Sequence, residues 1–237
     1  MSGTKNRLTM GIKRLVDVLG STVGLIVLSP LLLVLAVMVK RKLGSPVLFR
    51  QVRAGKDGRP FRLWKFRTMT DARDSSGCLL ADRERLTKLG SFLRSYSLDE
   101  LPQLISVLVG DMSLVGPRPL LLRYVPRYNE RQKLRLIVKP GLTGLAQLKG
   151  RNTLDWDARL ELDASYAERI SLALDMRLLW MTIWKVIARE GVVVSAGSDL
   201  EEFWGTLGKP PGGAALFRAE EDESLPLHTG IPAKQMR

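Results

Sequence analysis

LVDVLGSTVGLIVLSPLLLVLAVMV, residues 15–39, lies between Lys13-Arg14 and Lys40-Arg41-Lys42. After Asp17 it runs for 22 residues without a charge, and about 20 apolar residues suffice for a membrane helix. No small-residue cleavage site of the A-x-A kind is present, so the stretch reads as a retained anchor and not a removed signal peptide. Its topology stays open between two forms. Basic clusters flank both ends, whereas a single span usually carries them mainly on one side. At the middle sits Ser29-Pro30, where Pro30 removes a backbone donor and kinks a helix. Ser29 could satisfy the carbonyl so freed. The helix either enters the bilayer, breaks at Ser29-Pro30 and returns to the same face, or crosses as a kinked span.

Outward from this anchor, composition narrows the chemistry. The 237 residues include one cysteine, Cys78, and one histidine, His228. A disulfide framework, a multi-Cys metal site and a His-activated nucleophile are all excluded. Carboxylates, Arg and Lys must do the work, with at most a hard cation. The net charge of +13 is uneven: residues 1–70 hold 14 Lys/Arg against Asp17 and Asp57, for +12, and the remainder carries +1. Such a block suits nucleic acid or an anionic membrane surface. These charges flank an anchor and lack the interleaved exposed aromatics that stack bases. Membrane lipids are therefore the expected partner, and nucleic acid is not. The layout is an anchor over 1–43, a catalytic domain over 44–203, and a flexible tail over 204–237 rich in Gly, Pro and charge. That tail includes Glu220-Glu221-Asp222-Glu223.

Within the body, residues 47–70 alternate apolar and basic around the turn at 55–58 and predict a β-hairpin. Phe61, Leu63 and Phe66 are expected inward, and Arg62, Lys65 and Arg67 outward. A polar helix is predicted over 82–94 from Leu86, Leu89, Phe92 and Leu93. RSYSLDELPQL (94–104) opens another helix, with Pro102 in its first turn and Gly110 at its end. Asp99 and Glu100 then sit at a helix N-terminus. A carboxylate there is ordinarily a cap, but two adjacent acids near Arg94 and the Pro117-Arg118-Pro119 loop suggest more. A guanidinium held between prolines suits a phosphate, which it grips through parallel hydrogen bonds. KPGLTGLAQLKGRN (139–152) reads as a basic, Gly-rich loop that fits neither a Walker A loop nor a dinucleotide fingerprint. Two helices follow, over 155–170 and 174–189. The second carries Trp180 and Trp184, which fit either a lipid–water interface or core packing.

Several of these blocks in order resemble the bacterial sugar transferases, the small monotopic phosphoglycosyl transferases that begin surface glycan assembly. The resemblance runs from Ile12 to Gly191 through Ser29-Pro30, LWKFRTM (63–69), RSYSLDELPQL, GDMSLVGPRPL (110–120), KPGLTGLAQLKGRN and REGV (189–192). It implies a mostly helical α/β fold. A re-entrant helix-break-helix would be followed by a compact cytoplasmic domain with interfacial amphipathic helices and a small β-hairpin, on the bacterial inner membrane. It also implies an Asp-Glu dyad, Asp99 and Glu100. Asp99 would attack the β-phosphate of a UDP-sugar, release UMP and pass the phosphosugar to polyprenyl (undecaprenyl) phosphate. Mg²⁺ would be the cofactor, near Asp99, with Lys65, Arg94 and Arg118 binding phosphate or nucleotide. Glu100 would position groups or move a proton. The residues support such chemistry: a carboxylate can form an acyl phosphate, and cations offset the repulsion between anion and diphosphate. A non-catalytic membrane scaffold is the competing reading, which two adjacent acids beside arginines disfavour. The sugar is not legible, and a monomer and a homo-oligomer fit equally.

Overall fold

A computed structural model describes residues 3–150, 154–188 and 202–205. Helix α1 spans Gly3–Leu43 and leads to an antiparallel hairpin, β1 (Leu48–Ala54) and β2 (Pro60–Phe66). Short helices α2 (Asp82–Arg85), α3 (Lys88–Ser95) and α4 (Gln103–Val109) follow, with a 3₁₀ turn at Leu98–Glu100. Strand β3 (Ser113–Val115) pairs in parallel with β4 (Gly141–Thr143), and the crossover between them holds α5 (Glu130–Lys133). Helices α6 (Leu145–Lys149), α7 (Trp156–Glu168) and α8 (Leu172–Ala188) complete the described elements. The architecture is mostly helical, with a hairpin where alternation predicted one.

Helix α1 is long and apolar enough to cross a membrane. The expected break at Ser29-Pro30 is instead an unbroken helical run. Pro30 cannot donate to the carbonyl four residues back, that of Ile26. The Ser29 hydroxyl donates to that same oxygen at 2.7 Å, so the helix loses no partner there. The flanking charges also differ from expectation, because Lys13 and Arg14 turn into the protein. Lys13 Nζ meets Asp175 Oδ2 at 2.6 Å and donates to Val115 O at 2.9 Å. Arg14 donates to Val107 O and Leu108 O, both at 2.7 Å, carbonyls that the end of α4 leaves without intrahelical donors. Asp17 accepts from Leu114 N–H at 2.9 Å and from the Ser113 hydroxyl at 3.0 Å. Close approach needs a small residue at position 20, where a Cβ on Gly20 would lie 2.7 Å from Leu114 Cδ1. Further along, Leu35 and Val39 pack with Phe66 and Leu93. Both ends of α1 thus lie on the body, while Leu19, Val23, Ile26, Val27, Leu33 and Val34 stay more than half exposed.

Elsewhere the predicted 82–94 helix divides at Leu86-Thr87, because the Thr87 side chain caps α3 through Gly90 N–H. Gly110, at φ +109°, ends α4 as expected. The 139–152 segment forms β4 and α6 where a loop was expected, since β3 supplies a pairing partner. Its last two residues, Arg151 and Asn152, lie outside the described residues, as do REGV and the tail beyond Gly205. Phe203, placed at the tail's border, is buried among Tyr124, Tyr128 and Trp156. Trp180 and Trp184 are 70% and 61% exposed, which decides against core packing for both.

The Lys13–Asp175 pair, 8% and 4% exposed, should respond asymmetrically to substitution. Lys13→Met leaves the buried Asp175 carboxylate without its cation, keeping the Tyr166 hydroxyl at 2.7 Å, and is expected to cost about 3–5 kcal/mol. Lys13→Met with Asp175→Leu should recover most of that loss, both read as denaturation midpoints in detergent micelles.

Candidate active site

Local chain geometry separates the two adjacent acids. Ser97 adopts the left-handed region at φ +55°, a conformation that costs a non-glycine residue about 1–3 kcal/mol and clusters at functional sites. It turns the chain from α3 into the 3₁₀ turn of Leu98–Glu100, where three residues complete a turn and neighbours diverge. Asp99 is 7% exposed, and no hydrogen bond reaches its carboxylate among the described residues. Glu100 is held from two sides. Lys65 Nζ lies 2.9 Å from its Oε1, and Arg118 reaches Oε1 at 2.7 Å and Oε2 at 3.4 Å. Few of the free N–H groups expected at a helix start remain, because those of Glu100 and Leu101 bond to Ser97 O and Leu98 O.

Each cation arrives from a different element. Strand periodicity places Lys65 on the face of Phe61 and Leu63, so it points inward to Glu100 and not outward as expected. Arg94, in the last turn of α3, donates through Nε to Thr68 Oγ1 at 3.2 Å. Arg118 comes from the loop after β3. Its carbonyl accepts from Arg135, and Arg135 pairs with Asp163 at 3.0 Å in a setting where both are almost fully buried. Sequence reading missed Thr68, Arg135 and Asp163. Arg135 and Asp163 stand 28 positions apart on separate elements, and each alone looks like a solvated charge.

Electrostatics follow this placement. Burial raises the Asp99 carboxyl above the usual range and the Glu100 charge raises it further, opposed by Lys65, Arg94 and Arg118. Burial alone would raise Glu100 too, but Arg118 and Lys65 outweigh it and hold the acid far below the ordinary range. Burial lowers Lys65, with Glu100 opposing, and Glu100 raises Arg118. The result is one locked, ionised acid beside one unbonded, strained acid, with cations near both.

No group of three or more His, Cys, Asp or Glu side chains able to hold a metal occurs among the described residues. Of the two carboxylates Asp99 is the one that could take a hard cation such as Mg²⁺, which keeps several waters and binds through one or two carboxylates plus substrate phosphates. The Ser29 and Pro30 side chains lie in the exposed middle of α1 and take no part in this cluster.

Adjacent substitutions should move stability in opposite directions. Ionised Asp99 opposes folding once pH exceeds the ordinary carboxylate range, so Asp99→Asn is expected to raise the thermal midpoint at pH 7. That gain should shrink as pH falls into the ordinary carboxylate range, because folded Asp99 takes up its proton at a higher pH than the unfolded chain does. Glu100 stabilises the fold above its unfolded pKa, so Glu100→Gln should lower the midpoint at pH 7 by leaving Lys65 and Arg118 uncompensated. Thermal denaturation of the three proteins across pH checks both signs.

A family model described as bacterial sugar transferase matches residues 8–189. The chain is 49% identical over 197 residues to the uncharacterized sugar transferase EpsL of Bacillus subtilis, covering 83% of this chain and 98% of that protein. It is 44% identical over 190 residues to a protein of Klebsiella pneumoniae named UDP-glucose:undecaprenyl-phosphate glucose-1-phosphate transferase, covering 76% of this chain and 41% of the other. A Salmonella typhimurium protein named undecaprenyl-phosphate galactose phosphotransferase is 38% identical over 197 residues, with 76% and 41% covered. The chain therefore spans nearly all of the first relative and less than half of the other two.

Proposed function

The chain belongs to the bacterial sugar transferase family, and from that premise we propose that it moves a sugar-1-phosphate from a UDP-sugar to polyprenyl phosphate, releasing UMP. The observation that carries this reading is the contrast between Asp99, buried without a hydrogen bond, and Glu100, held by Lys65 and Arg118. An unbonded carboxylate keeps its lone pairs for attack, and its raised pKa reflects a carboxylate less stabilised than usual.

In the first step an Asp99 oxygen bonds to the β-phosphorus of the donor, and the bond from that phosphorus to the bridging oxygen breaks. UMP leaves with the electron pair, and a phosphosugar remains on Asp99 as an acyl phosphate. A polyprenyl phosphate oxygen then attacks the same phosphorus and expels the Asp99 carboxylate, giving a polyprenyl diphosphate sugar. Both nucleophiles are already anions, so neither step needs a base to remove a proton. An acid held ionised fits this scheme as a positioning group. Glu100 fixes Lys65 and Arg118 where they meet charge on the transferring phosphoryl group. Arg94 adds charge beside Asp99. Mg²⁺, held by Asp99 and the donor's phosphates, would supply further neutralisation of the diphosphate.

The anchor suits a lipid acceptor. From Lys13 to Val39 α1 extends about 39 Å at 1.5 Å per residue, and its two ends rest on the same body. A helix crossing a hydrocarbon core of about 30 Å would pull that polar body into lipid. Placing both ends on one face of the membrane avoids this cost, with α1 staying helical through Pro30 instead of breaking there. The body then lies on the cytoplasmic side of the bacterial inner membrane, where UDP-sugars are available. Trp180, Ile183 and Trp184 on α8 meet the interface. The product would begin a surface glycan such as an exopolysaccharide.

Intact-protein mass measures the first step directly. With Mg²⁺ and a panel of UDP-sugars but no lipid phosphate, a phosphosugar-sized mass gain with UMP release is expected. Asp99→Asn should give neither. Release of UMP only when polyprenyl phosphate is present would overturn the covalent scheme. The attacking form is the carboxylate, so adduct formation should fall as pH drops below neutral, earlier than for an ordinary aspartate. Arg118→Ala should slow the step about 10²–10³-fold.

A further inference from the structure

The loop that carries Arg118 is tied down carbonyl by carbonyl. Gly141 N–H donates to Pro117 O at 2.9 Å, and Ala54 N–H donates to Leu120 O at 3.0 Å. Between these two backbone ties the Arg118 carbonyl is held by a side chain, through Nη2 of Arg135. Pro119 follows and has no N–H to fix the peptide. Arg135 also gives Nε and Nη2 to Asp163 Oδ2 at 3.1 and 3.0 Å, and Nη1 to the Tyr128 hydroxyl at 3.1 Å. One rigid guanidinium thus joins three partners: Asp163 of α7, Tyr128 of the crossover, and the Arg118 loop.

Stability alone is a poor reason for such a group, because buried ion pairs are often replaceable by apolar residues at no loss. Exposure separates the two arginines. The Arg118 side chain is 40% exposed and touches Glu100, so phosphate can reach it. Arg135 is 3% exposed, so phosphate cannot. We propose that Arg135, held by Asp163, is a positioning residue for the transfer. It sets the Arg118 peptide so that the Arg118 guanidinium meets Glu100 and the donor's phosphate together. This inference rests on the function proposed above.

The test is a double-mutant cycle on the full chain in detergent micelles. It measures UMP release with Mg²⁺, undecaprenyl phosphate, and whichever of UDP-glucose, UDP-galactose or UDP-N-acetylglucosamine gives turnover. Arg135→Lys keeps the charge opposite Asp163 but loses the planar fork. It is expected to lower kcat about 10- to 100-fold, the scale of a small misplacement of a binding group, with donor KM changed less. In an Arg118→Ala background the same substitution should have no further effect on kcat. Asp163→Asn keeps an acceptor while withdrawing the charge, and should likewise lower kcat only when Arg118 is present. Effects that multiply with Arg118→Ala would overturn the inference and leave the functional reading intact. Absence of turnover by the unsubstituted protein with every donor would instead defeat the functional reading, and this inference with it.

Discussion

A helix made mostly of apolar residues can lie against a folded body only if the charges it carries find partners there, since an unpaired charge out of water is prohibitively costly. Helix α1 meets that condition with three neighbouring charges. Lys13 closes on Asp175 of α8, Arg14 takes two terminal carbonyls of α4, and Asp17 receives donors from β3. These ties orient the elements that carry the site. The acids Asp99 and Glu100 lie just before α4, and the Arg118 loop begins where β3 ends. Both are docked on one helix, so the seam along α1 sets the separation across which Arg118 reaches Glu100.

Within the site, adjacency in sequence becomes difference in chemistry. The left-handed turn at Ser97 and the 3₁₀ turn after it send the two carboxylates apart. One meets two cations from distant segments and stays charged. The other is buried without a hydrogen bond and bears the unfavourable electrostatics of its neighbour. That unfavourable placement is sustained by hydrogen bonds and ion pairs in the frame around it. Arg135, Asp163 and Thr68 belong to that frame, and none of them announces itself in the linear pattern.

The basic residues show how far composition can mislead. The surplus of positive charge in the first 70 residues suggested a face for anionic lipid. Several of those charges are spent inside the protein: Lys13 and Arg14 on the seam, Lys65 on Glu100, and Arg67 on the carbonyls of Leu43, Ser45 and Met69. Period-two alternation already placed Lys65 on the face of Phe61 and Leu63, so its inward direction was legible to a stricter reading. The partners of Lys13 and Arg14 were not, because they lie more than 90 positions away.

Local rules suffice wherever a residue's environment is made by its near neighbours. The apolar run of α1, the hairpin about residues 55–58, the stop at Gly110 and the two long helices near the C-terminal end of the body all follow from periodicity and turn chemistry. So does the pairing of Ser29 with Pro30, since the freed carbonyl is one turn away. Block order also singled out Asp99, Glu100, Lys65, Arg94 and Arg118, which the fold brings together. Tertiary structure alone decided which acid is bound and which is bare, which charges face inward, that Gly141–Thr143 pairs as a strand, and that Phe203 belongs to the core. Each of these depends on groups brought together from distant parts of the chain, and burial, which sets the strength of every charge interaction here, exists only once those parts have packed.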